Sequence, residues 1–400
     1  MSVSTSRTLS GILMHDLSNR PIPRWIHVWS ILTVVVAAIL LILGEMVTTL
    51  RAGMVDPDWP TRPWHLALDS HERWTIGYLV EHTHRIFGYL VGTLTAVLAL
   101  GAWMSEPRKG IRWGMLVALV LLLAGYGDFH GQMMAQIDAP VVQLPMRSTI
   151  GTLVPLAAVI GLCIAACRDA TAGTGVRIVA IVALIAVMIQ GLLGGLRVRL
   201  NDLLGTDLAT IHGTFATLVL ALLVSVAVLT GRPPREPLPE TVRRKLGWQA
   251  AALVAFTLLQ IVWGTLIRHM PDKLSTRMHL LFAFVVVGFA TLVIKQALAD
   301  PLAKRRLNWP ARVLMALIAL QLLFGIEAWM GKFMTGIVAD TGKPPPIGQS
   351  FLRTAHAHVG AWVLAVTVIF ALVVRRKTTT VGPVDGASID SLESPAQVSR

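Results

Sequence analysis

Ten apolar runs, each close to the length a helix needs to cross a bilayer, leave this chain few folds to adopt. They fall near residues 26–50, 78–103, 112–135, 148–167, 176–198, 208–230, 247–269, 276–298, 310–334 and 351–374. A spanning helix takes about 20 residues. In hydrocarbon the backbone polar groups are satisfied only within helices or closed barrels, and continuous runs of this length specify helices. The expectation is an all-α polytopic membrane protein with about ten transmembrane helices. Asp128, His130 and Pro155 interrupt the third and fourth runs, which are the weakest of the set. Only 14% of the residues are charged, against about 25% in soluble domains. Residues 1–24 are polar and the first apolar run is too long for a signal-peptide core, so a retained first span is expected.

The formal net charge of +13 could suggest nucleic acid, but the basic residues sit in short loops between apolar runs. That distribution is a record of membrane topology, and the surroundings it implies are lipid, not nucleic acid. Counting loops alternately, 21 Lys and Arg up to Lys377 fall on the side of both termini and 13 on the other. The positive-inside rule then puts both termini in the cytoplasm, and the expected location is the cell inner (plasma) membrane. Cys163 and Cys167 are the only cysteines and lie one helical turn apart in an apolar run, where they read as small buried residues. They supply neither a disulfide framework nor a cysteine-rich metal site.

A helix pair repeats along the chain. The odd helix of three pairs carries Gln-x-x-x-Gly: Gln190 with Gly194, Gln260 with Gly264, and Gln321 with Gly325. The following even helix carries His and a small residue four positions later: His212 with Ala216, His279 with Ala283, and His356 with Gly360. The first pair has Gly44, then His84 with Gly88. The pair within 104–175 does not follow this plan and reads as an insertion. Repeated pairs suggest two pseudo-symmetric four-helix bundles. One is assigned to 26–103 with 176–230, the other to 247–374. A cytoplasmic N-tail is expected over 1–25 and a disordered cytoplasmic tail over 375–400.

The four repeat histidines are expected in the first turns of their helices, at similar depth near the extracytoplasmic face. An ionisable residue inside a span is a functional hypothesis by default. Residues i and i+4 share a helix face, so the small residue leaves room beside each histidine for a broad flat group. Imidazole is an axial ligand of haem iron, whereas zinc favours a tight tetrahedron with thiolates or carboxylates. The pattern therefore points to two bis-histidine haem sites. One site differs: in Glu81-His82-Thr83-His84-Arg85, Glu81 shares a face with His84 and is four residues from Arg85, so the two can pair. His279, His356 and His212 have no carboxylate three residues before them.

These motifs resemble the haem A synthase family. The carrying residues are Glu81, His84 and Arg85 (Glu-x-x-His-Arg), Gln190 to Gly195 (Gln-Gly-x-x-Gly-Gly) with His212, and the later Gln and His pairs. Thr48 to Met54 with Asp58-Trp59-Pro60 also resembles the family's first extracytoplasmic loop. The resemblance covers roughly 30–100 and 180–375. It implies oxidation of the C8 methyl of haem O to the formyl group of haem A, for cytochrome oxidase. It further implies that His84 and His212 hold the substrate haem iron, with catalytic Glu81 and haem-binding Arg85 beside it, and that His279 and His356 ligate a resident haem b. Haem O synthase, cytochrome oxidase assembly factors and an electron donor or acceptor would be partners, and a homo-oligomer is compatible with the sequence. Two features depart from the family: the cysteine pair of many bacterial members is missing, which excludes a thiol relay, and ten spans replace the usual eight. Two rival readings use the same ligands, a di-haem cytochrome b-type electron carrier and a non-enzymatic haem chaperone for oxidase assembly.

The remaining polar residues have plainer readings. His82 and His358 each lie two residues from a proposed ligand and point to another face, with His358 the fallback for His356. His130 reads as an interfacial polar residue. Arg51, Arg197 and Arg268 are placed outward near the histidines, where they read either as solvated loop charge or as guanidinium groups that bind carboxylates such as propionates. Trp25, Trp29, Trp64 and Trp74 read as interfacial anchors.

Overall fold

In the computed structural model, residues 22–56, 64, 74–136, 143–234, 236–333 and 345–376 are described. Most of the N-terminal and C-terminal tails expected from the sequence, and Asp58-Trp59-Pro60, lie outside them, but Arg24, Trp25 and Arg375 are helical and Arg376 donates to the Val228 carbonyl at 2.8 Å. The described chain forms ten helices and no strand: α1 Arg24–Thr49, α2 Ile76–Met104, α3 Lys109–Met134, α4 Met146–Arg168, α5 Thr174–Arg199, α6 Asn201–Thr230, α7 Glu240–His269, α8 Lys273–Ala299, α9 Pro301–Phe333 and α10 Ile347–Arg375. All ten contain a segment long and apolar enough to cross a membrane. The protein is a ten-helix polytopic membrane protein, and the two interrupted runs are helical despite Pro155 inside α4.

The helices run past their apolar segments into polar caps. Thr75 accepts the Tyr78 N–H at the start of α2. Asp272 accepts the Ser275 N–H and forms a capping box at the start of α8, satisfying amides that the helix leaves open. Gly173 precedes α5 at φ 85°, a backbone conformation that glycine adopts without penalty. This extension corrects one expectation. His84, His212, His279 and His356 are not in the first turns of their helices but six to eleven residues in, roughly two to three turns.

Neighbouring helices close two rings. In one, α1 packs on α2, α2 on α5, α5 on α6 and α6 on α1; in the other, α7, α8, α9 and α10 follow each other in the same way. Helices α6 and α10, α1 and α10, and α6 and α7 join the rings. The pair α3 and α4 pack on each other and lie against α2 and α5. Three apolar cores follow this plan. One centres on Leu98, Leu220 and Leu223, one on Ala290, Leu307 and Phe370, and one on Trp103, Leu119, Val159 and Leu184, which fastens α3 and α4 to the first ring. Lipid is as apolar as leucine, so close packing of small side chains such as Ala180, Ala183, Ala361 and Ala365 holds the helices together. Trp29 is not an interfacial anchor: its indole N–H donates to the Leu94 carbonyl at 2.9 Å, inside the first ring.

Where α2 ends, a buried ion pair fixes two turns at once. Glu106 accepts from Arg177 at 2.8 Å and from Arg108 at 2.7 Å. Arg177 also donates to Thr171 at 2.6 Å, and its carbonyl accepts the Trp103 indole N–H at 3.1 Å. Burial raises the Glu106 carboxyl, but the Arg108 hydrogen bond and the Arg177 charge outweigh it and hold the carboxyl below its usual value. Arg177→Ala leaves this carboxylate on Arg108 alone, and a stability loss of about 2 kcal/mol is expected. Thermal unfolding in detergent measures it. A depressed folded value means that the pair stabilises above the ordinary carboxylate range and fades as pH falls through the folded value. The wild type and Arg177→Ala should therefore converge in acid.

Candidate functional site

Each repeat histidine sits on a glycine of the preceding odd helix. A Cβ added at Gly44 would lie 2.8 Å from the His84 ring, at Gly194 3.3 Å from His212, at Gly264 3.1 Å from His279 and at Gly325 2.8 Å from His356. These separations are at or inside van der Waals contact, so any larger residue pushes the ring out of place. The odd-helix glycine of the repeat is thus a seat for the next helix's imidazole. The small residues four positions after the histidines, Gly88, Ala216, Ala283 and Gly360, line one cavity together with all four histidines. Its volume is about 1880 Å³.

The ring nitrogens are oriented by the same odd helices. His84 Nδ1 donates to the Leu40 carbonyl at 3.2 Å, and His279 Nδ1 to the Gln260 carbonyl at 3.3 Å. A donated Nδ1–H fixes the tautomer and leaves the Nε2 lone pair for a metal. The repeat glutamines lie over the imidazoles. Gln260 Nε2 is 3.4 Å from His279 Nε2, and Gln321 Nε2 is 3.4 Å from His356 Nε2. Gln190 Nε2 is 3.2 Å from both ring nitrogens of His212. In the first pair Leu40 occupies the glutamine's position, so His84 alone has no amide above it.

His279 and His356 face each other across the second ring of helices, with centroids 6.2 Å apart and planes at 79°. Two imidazoles on opposite sides of one ion, each about 2 Å from it, put their centroids roughly 6 Å apart. Among the described residues no group of three or more His, Cys, Asp or Glu is arranged to hold a metal ion. The side-chain oxygens of Gln190, Gln260 and Gln321 are buried without a hydrogen-bond partner. One imidazole pair 6.2 Å apart, four glycine seats and one broad cavity fit a flat metal-bearing ring such as haem.

Glu81 lies on the cavity wall and is buried. Its two oxygens accept the Met54 and Asp56 amides, each at 2.7 Å, and Arg85 donates to it at 2.8 Å. Asp56 in turn takes Arg85 at 3.4 Å and His82 Nδ1 at 3.0 Å. Glu81 therefore does more than neutralise Arg85: it pins the segment after α1, where Arg51 and Met54 adopt positive φ of 52° and 82°. A non-glycine residue there carries strain of about 1–3 kcal/mol, which surrounding contacts have to hold. His82 is fully buried on Asp56, away from the cavity lining.

Arg51, Arg197 and Arg268 all line the cavity. Arg197 reaches over Gly53, where a Cβ would lie 3.1 Å from its guanidinium. Arg268 donates to the Glu45 carbonyl and to Thr49 Oγ1, both at 2.6 Å, tying α7 to α1. His358 is engaged elsewhere than His356: it accepts the Trp362 indole N–H at 2.9 Å and faces the Glu45 carboxylate at 3.5 Å. His130 lines the cavity from α3 beside Gly195. Two acids escaped the sequence reading. Asp56 gave no signal beyond loop charge. Glu45, a lone acid in the first apolar run, is marked by the same rule that marks the histidines.

The model of the cytochrome oxidase assembly protein family matches residues 3–127, the part of the chain that carries Gly44, Glu81, His84 and Arg85. No curated protein and no solved structure matches the chain.

Proposed function

From a chain whose residues 3–127 match the cytochrome oxidase assembly protein family, we propose a haem A synthase that oxidises the ring methyl of haem O to a formyl group. The observation that carries the proposal is the repeat itself: four glycine-seated histidines around one cavity, with a carboxylate three residues before His84 and none at that spacing before the other three. Two equivalent sites would suit an electron carrier; two sites of different equipment suit a substrate site and a resident cofactor site. His84 and His212 hold the substrate iron, and His279 and His356 hold haem b. Haem b, when bound there, supplies one-electron transfer.

The chain's own residues then have separable tasks. Leu40 and Gln260 carbonyls accept from Nδ1 of His84 and His279, the tautomer that leaves Nε2 unprotonated. Glu81 presents a carboxylate already fixed by two amides and Arg85. A carboxylate held in this way stabilises positive charge developing on the substrate without reorganising, and it is within the cavity to take a proton released as the methyl is oxidised. Arg51, Arg197 and Arg268 offer guanidinium groups to the substrate's propionates.

The direct check is binding. Purified protein titrated with haem O should bind it, and His84→Ala or His212→Ala should abolish that binding while haem b remains. Retention of haem O by both variants would place the substrate elsewhere. The proposal also sets the protein in the plasma membrane with both termini cytoplasmic, because Lys and Arg divide 21 to 13. Reporter fusions at Arg375 and Asn201 are expected to report opposite sides; the same side for both removes the topology.

A further inference from the structure

We infer that the inserted hairpin is part of the substrate site, and that α2, α3 and α5 together form a slot for the isoprenoid side chain of the substrate. The inference rests on the haem O reading above. The cavity holding His84 and His212 is not confined to the four-helix ring. It continues inward between α2 and α5, and its wall there is completed by Leu123, Tyr126 and Gly127 of α3. The depths match: α2 lines it from His84 to Ala96, an advance of about 18 Å at about 1.5 Å per residue. A Cβ added at Gly88, Gly92 or Gly127 would meet nothing within 4 Å, so the slot is open space at these positions.

Helix α5 is built to receive α3. Within Gln190 to Gly195, Gly194 seats His212, but the other two glycines face the insertion. A Cβ at Gly191 would lie 3.0 Å from the Tyr126 hydroxyl, and one at Gly195 2.7 Å from Met134. Tyr126 in turn donates to the Met188 carbonyl at 2.7 Å. The motif thus accommodates both the ligand and the wall. The slot is apolar apart from Tyr89, Thr93 and Tyr126, and it opens from the level of the histidines. Its occupant is therefore an apolar chain attached to the group the histidines hold. Haem O carries such a chain, a hydroxyethylfarnesyl group, and haem b does not.

Purified protein retaining haem b in the second ring is titrated with haem O or with additional haem b, and binding is followed in the Soret band. Wild type is expected to prefer haem O. Gly92→Leu, which fills the slot where nothing opposes a side chain, should weaken haem O binding by at least about tenfold and leave binding of tail-less haem unchanged. Resident haem b and thermal unfolding should not move. Gly127→Leu, on the opposite wall, should act the same way if Gly92→Leu does not fold. Equal affinity of wild type for both haems, or equal loss for both in the variants, overturns the slot. Release of a co-purifying phospholipid by Gly92→Leu with no change in haem preference assigns it to a lipid acyl chain instead. If wild type binds neither haem at His84 and His212, the substrate-site reading falls, and the slot with it.

Discussion

Replacing His356 or His279 by Ala is expected to remove the low-spin haem b spectrum from the purified protein, while the protein still inserts and folds. Their rings face each other at 6.2 Å, so either substitution leaves the proposed haem b with one of its two ligands. His358 is the nearest alternative in sequence, but its Nε2 accepts from Trp362 and its Nδ1 faces Glu45. His358→Ala should therefore keep the spectrum. Loss of the signal in His358→Ala with retention in His356→Ala moves the ligand by two residues and undoes the seat argument. A milder change tests the seat directly. Gly325→Val puts a side chain where even a Cβ would lie 2.8 Å from the His356 ring, so it should lower haem b occupancy without touching a ligand.

Glu81→Gln is expected to lower conversion of haem O to haem A by about a hundredfold, the usual scale for losing a positioned acid–base group, with haem b retained. The variant has a structural cost that must be separated from the chemical one. Both Glu81 oxygens accept backbone amides, and one oxygen becomes an NH2 that faces a donor. That mismatch costs about 1–3 kcal/mol and loosens the strained Arg51–Met54 segment. Unfolding temperature and haem O affinity report this loosening; haem A yield per bound haem O reports the chemistry. Arg85→Lys provides the contrast, since it disturbs the same network but leaves the carboxylate in place. Normal haem A yield from Glu81→Gln would falsify the catalytic role of this carboxylate.

The helices and their number were legible because apolar length is a one-dimensional property: each run states its own span. Their ends were not, since Thr75 and Asp272 extend α2 and α8 by polar capping beyond the apolar signal. The histidines and the odd-helix glycines stood out as a repeat, yet the contact between them did not. Sequence spacing relates residues along one helix; which glycine supports which imidazole depends on how two helices are set against each other. The same holds for Glu81. Its i+4 neighbour Arg85 was readable from helix geometry, whereas Met54 and Asp56 reach it through a loop whose path no periodicity describes. The part played by α3 in the cavity wall was invisible for a related reason. Nothing in Leu123, Tyr126 or Gly127 differs from an ordinary lipid-facing stretch until α2 and α5 are in place beside it.

One measurement bears most directly on the central proposal: the haem content of membranes from cells that make haem O and express this chain, resolved by chromatography of the extracted pigments. The proposed synthase yields haem A with the wild-type chain and haem O alone with His84→Ala. Haem O left unconverted by a wild-type chain that carries its haem b would contradict it, and would leave a protein that binds haem without oxidising it.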